Sequence, residues 1–136
     1  MRSLTICIQI SALLIIIFES CAKPAGPGGR AMVKGKVYVH DFDNTFKYLI
    51  SSGYSPGEKV YIVYGNNTFV GNSVTTSYDG SFEFMYLNKG HYKIFANSID
   101  TSYKIKGNKT TIAVVREFDI NDPKKVITVE DIVINK

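Results

Sequence analysis

The stretch VTTSYDGSFEFMYL, residues 74–87, decides the fold. Asp79-Gly80 accepts the positive φ of a tight turn and divides one β-rich run from another, so it is expected to close a hairpin. In SFEFMYL the alternation puts Phe82, Phe84 and Tyr86 on one face and Glu83 on the other. That period of two is the mark of a half-buried strand, and the three aromatic rings are the expected core face.

The same pattern continues in both directions. Upstream, KVYIVY at 59–64 is rich in β-branched and aromatic residues, and Gly65-Asn66-Asn67 supplies a turn before an extended stretch at 68–78. Further back, Val33, Val37 and Val39 hold odd positions around Gly35, with Lys34, Lys36, Tyr38 and His40 between them. Downstream, Asn88-Lys89-Gly90 turns into HYKIFANSI with Tyr92, Ile94 and Ala96 aligned. Gly107-Asn108 separates SYKIK from TTIAVV, and Asn121-Asp122-Pro123 breaks the chain before KKVITVEDIVI. Short strands at close, turn-marked spacing predict an all-β antiparallel Greek-key β-sandwich of about seven strands. One segment reads differently. In residues 43–52, Phe46, Leu49 and Ile50 have helical spacing, and Asp43 or Asn44 could cap a single helical turn.

At 136 residues the chain fits one domain, and its 45% hydrophobic and 21% charged residues argue against disorder. Two cysteines are too few for a disulfide scaffold or a four-cysteine zinc site. The net charge of +4 comes from basic residues spread along the chain, not from a patch, so no nucleic-acid partner is expected.

The N-terminus reads as an address. Arg2 precedes a run from Leu4 to Phe18 that is apolar apart from Thr5, Gln9 and Ser11. As a helix it would reach about 22 Å, short of a hydrocarbon core of about 30 Å, so a removable signal fits better than a permanent span. The run ends at FES-Cys21-AKPAG, which resembles the lipobox of bacterial lipoproteins, with Ser20 as the small residue before the cysteine. Phe18 and Glu19 depart from that pattern, and ordinary secretion with cleavage before Lys23 is the competing reading. The resemblance implies a signal peptide at 1–20 and lipid attachment at Cys21, palmitate among the acyl chains. Such chains hold a protein on a bilayer at about 0.8 kcal/mol per buried CH₂. It also implies a cell-envelope location facing periplasm or exterior, with the outer membrane preferred. Lys23–Arg30 reads KPAGPGGR, so residues 21–31 are expected to be a flexible tether and residues 32–136 the folded domain.

The order VKGKVYV, PGEKVYIVY, TTSYDGSFEFMYL, GHYKIFA is similar to carboxypeptidase regulatory-like domains of the transthyretin or prealbumin-like group. Gly35, Val37, Gly57, Val60, Asp79-Gly80, Phe82, Phe84, Leu87, Gly90 and Tyr92 carry the likeness, and VITVEDIVI is like that group's closing strand. These are turn and core positions, so the resemblance implies a fold, not a chemistry. Collagen-adhesin members form a Lys–Asn isopeptide bond with an acid where this chain has Ala96, so no such bond is expected between Lys34 or Lys36 and Asn135. Hydroxyisourate hydrolases of the group end in a YRGS-type tail, whereas this chain ends Ile134-Asn135-Lys136.

Candidate chemistry is sparse. His40 and Asp43 are three apart, so on a strand they point to opposite faces and cannot share a metal ion with His91 unless the chain folds them together. Asp41-x-Asp43-x-Thr45 alternates oxygens like a calcium loop but has Phe46 where glycine is wanted, so turn use is expected. Glu130 and Asp131 are adjacent and face apart. The expectation is no catalytic residue, no metal and no cofactor. Tyr54, Tyr61, Tyr64, Phe69 and Tyr78 are either a sugar-stacking platform or core and cross-strand pairs. The sequence therefore describes a non-catalytic envelope lipoprotein whose sandwich binds or scaffolds an envelope protein or glycan. An accessory carbohydrate-binding module and a small secreted hydrolase are its rivals. The hydrolase requires His40 or His91 to meet an acid in a pocket.

Overall fold

The computed structural model describes residues 23–101 and 110–136. Its spine is β1 (Pro27–Phe42), a strand long enough to serve two sets of neighbours. On one edge β5 (Ser81–Leu87) and β2 (Leu49–Tyr54) lie antiparallel to it, end to end. Val37 is the handover point: its N–H donates to Gly80 O at 2.9 Å, and its C=O accepts from Ser55 N–H at 3.2 Å. On the other edge β8 (Val126–Thr128) and β9 (Ile132–Asn135) run parallel to β1. The second sheet has the order β4 (Asn72–Thr75), β3 (Lys59–Tyr64), β6 (Gly90–Ile99), β7 (Thr111–Ile120), all antiparallel. The protein is thus an all-β sandwich. The departure from the antiparallel expectation is the return of β8 and β9 alongside β1.

The core follows the pleat. The odd-numbered side chains of β1, Ala31, Val33, Val37 and Val39, point inward with Phe82, Phe84, Leu87, Ile132 and Ile134. Facing them are Val60, Ile62, Tyr92, Ile94, Ala96 and Ile120 of the second sheet. Each large side chain fully buried here contributes about 1.5–3 kcal/mol. Gly35 breaks the valine series because a Cβ there would stand 2.8 Å from the Phe82 ring and from Val129 Cγ2. The glycine makes room for the phenylalanine.

Four sequence expectations are corrected. Asp79-Gly80 is a tight turn, with Gly80 at φ +76° and its N–H on Ser77 O at 2.9 Å. It does not close a hairpin, because β4 pairs with β3 while β5 pairs with β1, so the turn carries the chain from one sheet to the other. Tyr86 is not in the core face. Val33 opposes Phe84 but Ala31 opposes Leu87, so β5 holds one residue more than β1 between those pairs. That bulge, with Tyr86 at φ +60°, turns Tyr86 outward and gives its place to Leu87.

Residues 43–52 hold no helix. Asp43 accepts from the N–H groups of Lys47 (2.9 Å) and Tyr48 (3.1 Å) and from the Thr45 hydroxyl, so its carboxylate organises a turn that leads straight into β2. Finally, the stretch expected as a loose tether is partly seated on the sandwich. Gly26 N–H donates to Tyr92 Oη at 2.9 Å, Asn88 N–H donates to Gly26 O at 2.9 Å, and Asn88 Nδ2 donates to Pro27 O at 3.0 Å. Burying the Tyr92 ring obliges its hydroxyl to find partners, and the glycine-rich segment brings backbone groups close enough to supply them. Cys7, the expected attachment point Cys21, and the SYKIK–Gly107-Asn108 segment lie outside the described residues.

Candidate functional site

β1 and β9 run parallel and end together at Phe42 and Asn135, where β6 also ends and β7 begins. Their ends bound an open cleft of about 520 Å³ at the end of the sandwich farthest from Lys23. Asp41, Phe42, Asn44, Asn97, Asn135 and Lys136 supply most of its functional groups. A second depression of about 390 Å³ shares Asp41 and Lys136 and continues along β2.

The walls are held by backbone and side-chain bonds that cross between strands. Phe42 N–H donates to Lys136 O at 2.8 Å, and Lys136 N–H donates to His40 O at 2.9 Å. Asn135 N–H donates to the buried Ser98 Oγ at 2.9 Å, which ties β9 to the opposite sheet. Lys136 Nζ meets Glu58 Oε1 at 2.6 Å, and Glu58, itself buried, also accepts from Ser55 Oγ at 3.1 Å. The ammonium is thereby neutralised, leaving the Asp41 carboxylate and three side-chain amides to characterise the opening. The amides donate and accept and the carboxylate accepts, a set that suits a ligand rich in hydroxyls.

Other candidates fall elsewhere. His40 lies on the outer face of the β1 sheet, 5.3 Å from the Tyr38 ring and 6.4 Å from Phe42 centroid to centroid, with a buried Nδ1 that has no hydrogen-bond partner among the described residues. Asp43 and Thr45 are spent on their turn, and the Thr45 hydroxyl, followed by the Tyr48 N–H, holds the Asp43 carboxyl below the usual carboxylate range. His91 does reach acids: its Nδ1 is 3.0 Å from Asp119 Oδ1 and its Nε2 is 3.7 Å from Glu117 Oε2. This is a cross-strand ladder on the outer face of β6 and β7, joined by Lys93 at 3.1 Å from Glu117, and it lines neither the cleft nor the depression beside it. Asp131 Oδ2 accepts from Tyr54 Oη at 2.8 Å, which raises the Tyr54 hydroxyl above its ordinary value. Glu130 stands 3.8 Å from Arg116 Nε.

The five aromatic residues share no platform. Tyr54 stands edge-on to Tyr38 at 5.2 Å and 87°, and Lys36 Nζ sits 4.8 Å from its ring centroid. Tyr61 stacks on Phe95 of β6 on the other sheet, at 5.0 Å and 20°. Tyr64 packs against the core beside Tyr92, and burial raises its hydroxyl. Phe69 and Tyr78 are exposed in loops. Parity already separates Tyr61 from Tyr64, which are an odd number of residues apart on one strand. Asn97, Asn135 and the Lys136–Glu58 pair carried no signal of spacing and were not anticipated.

No protein family matches the sequence, and no curated protein does. Among solved structures, a candidate carbohydrate-binding protein from Pseudomonas aeruginosa is similar in fold, with a TM-score of 0.47 at 14% identity. The match covers 82% of this chain and 92% of that one.

Proposed function

We propose that this protein is a non-catalytic, lipid-anchored protein of the bacterial cell envelope. Its β-sandwich binds an envelope partner at the end remote from the anchor. The observation that carries this reading is the placement of the two ends of β1. Its N-terminal end adjoins the segment leading back to Cys21, and its C-terminal end forms the cleft wall at Phe42. Sixteen residues of strand at about 3.3 Å each set the two roughly 50 Å apart. A body tied to a bilayer at one end therefore offers the cleft away from the lipid.

The test has two arms. Cys21→Ala should move the protein from the membrane pellet to the uncut or soluble fraction, and unchanged partition rules out the anchor. Photo-crosslinking from Asn44 in intact envelopes should then yield a discrete adduct that Asn97→Ala with Asn135→Ala abolishes. Adducts indifferent to those changes would remove the cleft from consideration.

A second reading, an accessory carbohydrate-binding module, is favoured by the amide and carboxylate lining of the same cleft. It requires that a glycan array give a hit sensitive to Asp41→Ala, and an array without binding rejects it.

A further inference from the structure

The fold gathers at one end basic residues that the sequence keeps apart. β1 and β6 begin there and β3, β5 and β7 end there, so the N-terminal segment shares that end with the turns at 65–71, 88–89 and 121–125. Lys23 and Lys89 line one shallow depression together with Pro123. Lys124 and Lys125 follow directly, and Lys125 O accepts from the N–H of Met32, two residues past Arg30, at 3.1 Å. All five cations are exposed, and none makes an ion pair among the described residues. Two carboxylates stand against them, and both are engaged. Asp119 Oδ1 is 3.0 Å from His91 Nδ1, and Asp122 Oδ1 accepts from Lys124 N–H at 2.9 Å. Phe69 is exposed in the 65–71 turn, which is tied to this end by Gly65 N–H on His91 O at 2.9 Å.

We propose that this end of the sandwich docks on anionic phospholipid headgroups, with Lys23, Arg30, Lys89, Lys124 and Lys125 on the phosphates and the Phe69 ring in the interfacial layer. The proposal rests on the acylated Cys21 proposed above and adds to it a second, electrostatic contact. Chain length supplies the argument for this occupant. Ala25 packs on the core and Gly26 N–H is held by Tyr92 Oη, so only Ala22, Lys23 and Pro24 separate that seat from Cys21. Four residue steps reach at most about 14 Å. A body on so short a lead keeps its base close to the lipid, where the field of anionic headgroups falls off over about 8 Å. Charge complementarity decides the rest: a positive end brought to a negative surface is drawn onto it, and a neighbouring aromatic ring gains by entering the boundary layer. Docking stands β1 upright on the membrane and holds the cleft outward, where a swinging body would not.

The chain holds no tryptophan, so Phe69→Trp creates a single reporter at the docked end and Tyr48→Trp a single one near the cleft. Each acylated protein goes into vesicles of phosphatidylglycerol with chain-brominated phosphatidylcholine, and into vesicles of the brominated phosphatidylcholine alone. A mass spectrum of each preparation reads the acyl group on Cys21. Bromine should quench most of the Phe69→Trp emission in the anionic vesicles and little in the neutral ones, while Tyr48→Trp stays bright in both. Raising salt from about 0.1 M to about 1 M shortens the screening length from about 10 Å to about 3 Å and should restore the emission. Adding Lys124→Glu with Lys125→Glu should restore it at low salt, with an unchanged circular dichroism spectrum. Lys47→Glu with Lys59→Glu, an equal change of charge away from this end, should leave the quenching in place. Acylated Phe69→Trp protein that is equally bright in both vesicles overturns the docking and leaves the anchor standing. Restoration by the distant pair as well makes net charge the cause and overturns it too. A Cys21 without acyl mass removes the anchor and the docking together.

Discussion

Asp79 shows how much one exposed side chain can do at a turn. Its Oδ1 accepts from Ser81 Oγ at 2.6 Å and Ser81 N–H at 3.2 Å, and its Oδ2 accepts from Lys36 Nζ at 3.0 Å. The Ser81 hydroxyl first, and then the Lys36 ammonium, lower the carboxyl from 3.8 to about 2. A folded value below the unfolded one stabilises the protein at pH above about 3.8, and that contribution disappears as pH falls towards about 2. Thermal melts between those limits should therefore show a slope that Asp79→Asn flattens. An identical slope in the variant would assign acid sensitivity to other carboxylates. The opposite sign applies to Tyr92, whose hydroxyl is raised by burial, so its contribution is complete below pH 10 and declines above it.

At the scale of the element, periodicity was a sound guide wherever the ladder is regular. Val33, Val37 and Val39 read as inward residues on alternation alone and are inward. Alternation failed at Tyr86 because a bulge adds a residue, and nothing in SFEFMYL marks where the pleat is broken. Turn chemistry was legible at Asp79-Gly80, but it reports only that the chain reverses, not which sheet each arm joins. The cleft was illegible for a different reason. Asp41, Asn97 and Asn135 are single polar residues at three strand ends, brought together by the return of β9 beside β1, and no local spacing encodes that.

Substitutions at two positions separate the regular from the irregular part of β5. Phe84→Ala empties a ring that is 3% exposed and should cost about 3–5 kcal/mol in denaturant melts. A loss under about 1 kcal/mol would mean the ring is not packed. At Tyr86 the ordinary strand preference should invert. Glycine takes φ +60° without strain, so Tyr86→Gly should stay within about 0.5 kcal/mol of the parent, while Tyr86→Val should cost about 1–2 kcal/mol. Valine better than glycine at this position would place Tyr86 on an unbroken strand.

For the whole molecule, the question is where the body begins. Composition placed that boundary near Met32, since two prolines and three glycines in eight residues have little to bury. The fold moves it back towards Ala25, because β5, β6 and the turn between them supply what the segment lacks: the Tyr92 hydroxyl for Gly26, the Asn88 side-chain amide for Pro27, and a shelf at Leu87 for Gly29. Gly29 is the weak point of that seat. A Cβ there would stand 1.8 Å from Leu87 O and 2.6 Å from Asn88 N, both backbone atoms that cannot swing aside. Gly29→Ala should therefore lift residues 25–30 from the sandwich while the core from Ala31 onward stays folded. Trypsin reads the difference, because cleavage needs several residues of extended, unpaired chain around the bond. In the parent, Arg30 lies within β1 and should resist cutting. In Gly29→Ala the bond after Arg30 should open with the midpoint of global unfolding little changed. Gly53→Ala, where a Cβ meets nothing within 4 Å, is the matching control and should leave the digest as it was. Rapid cutting after Arg30 in the parent itself would return the boundary to Met32 and restore the longer tether.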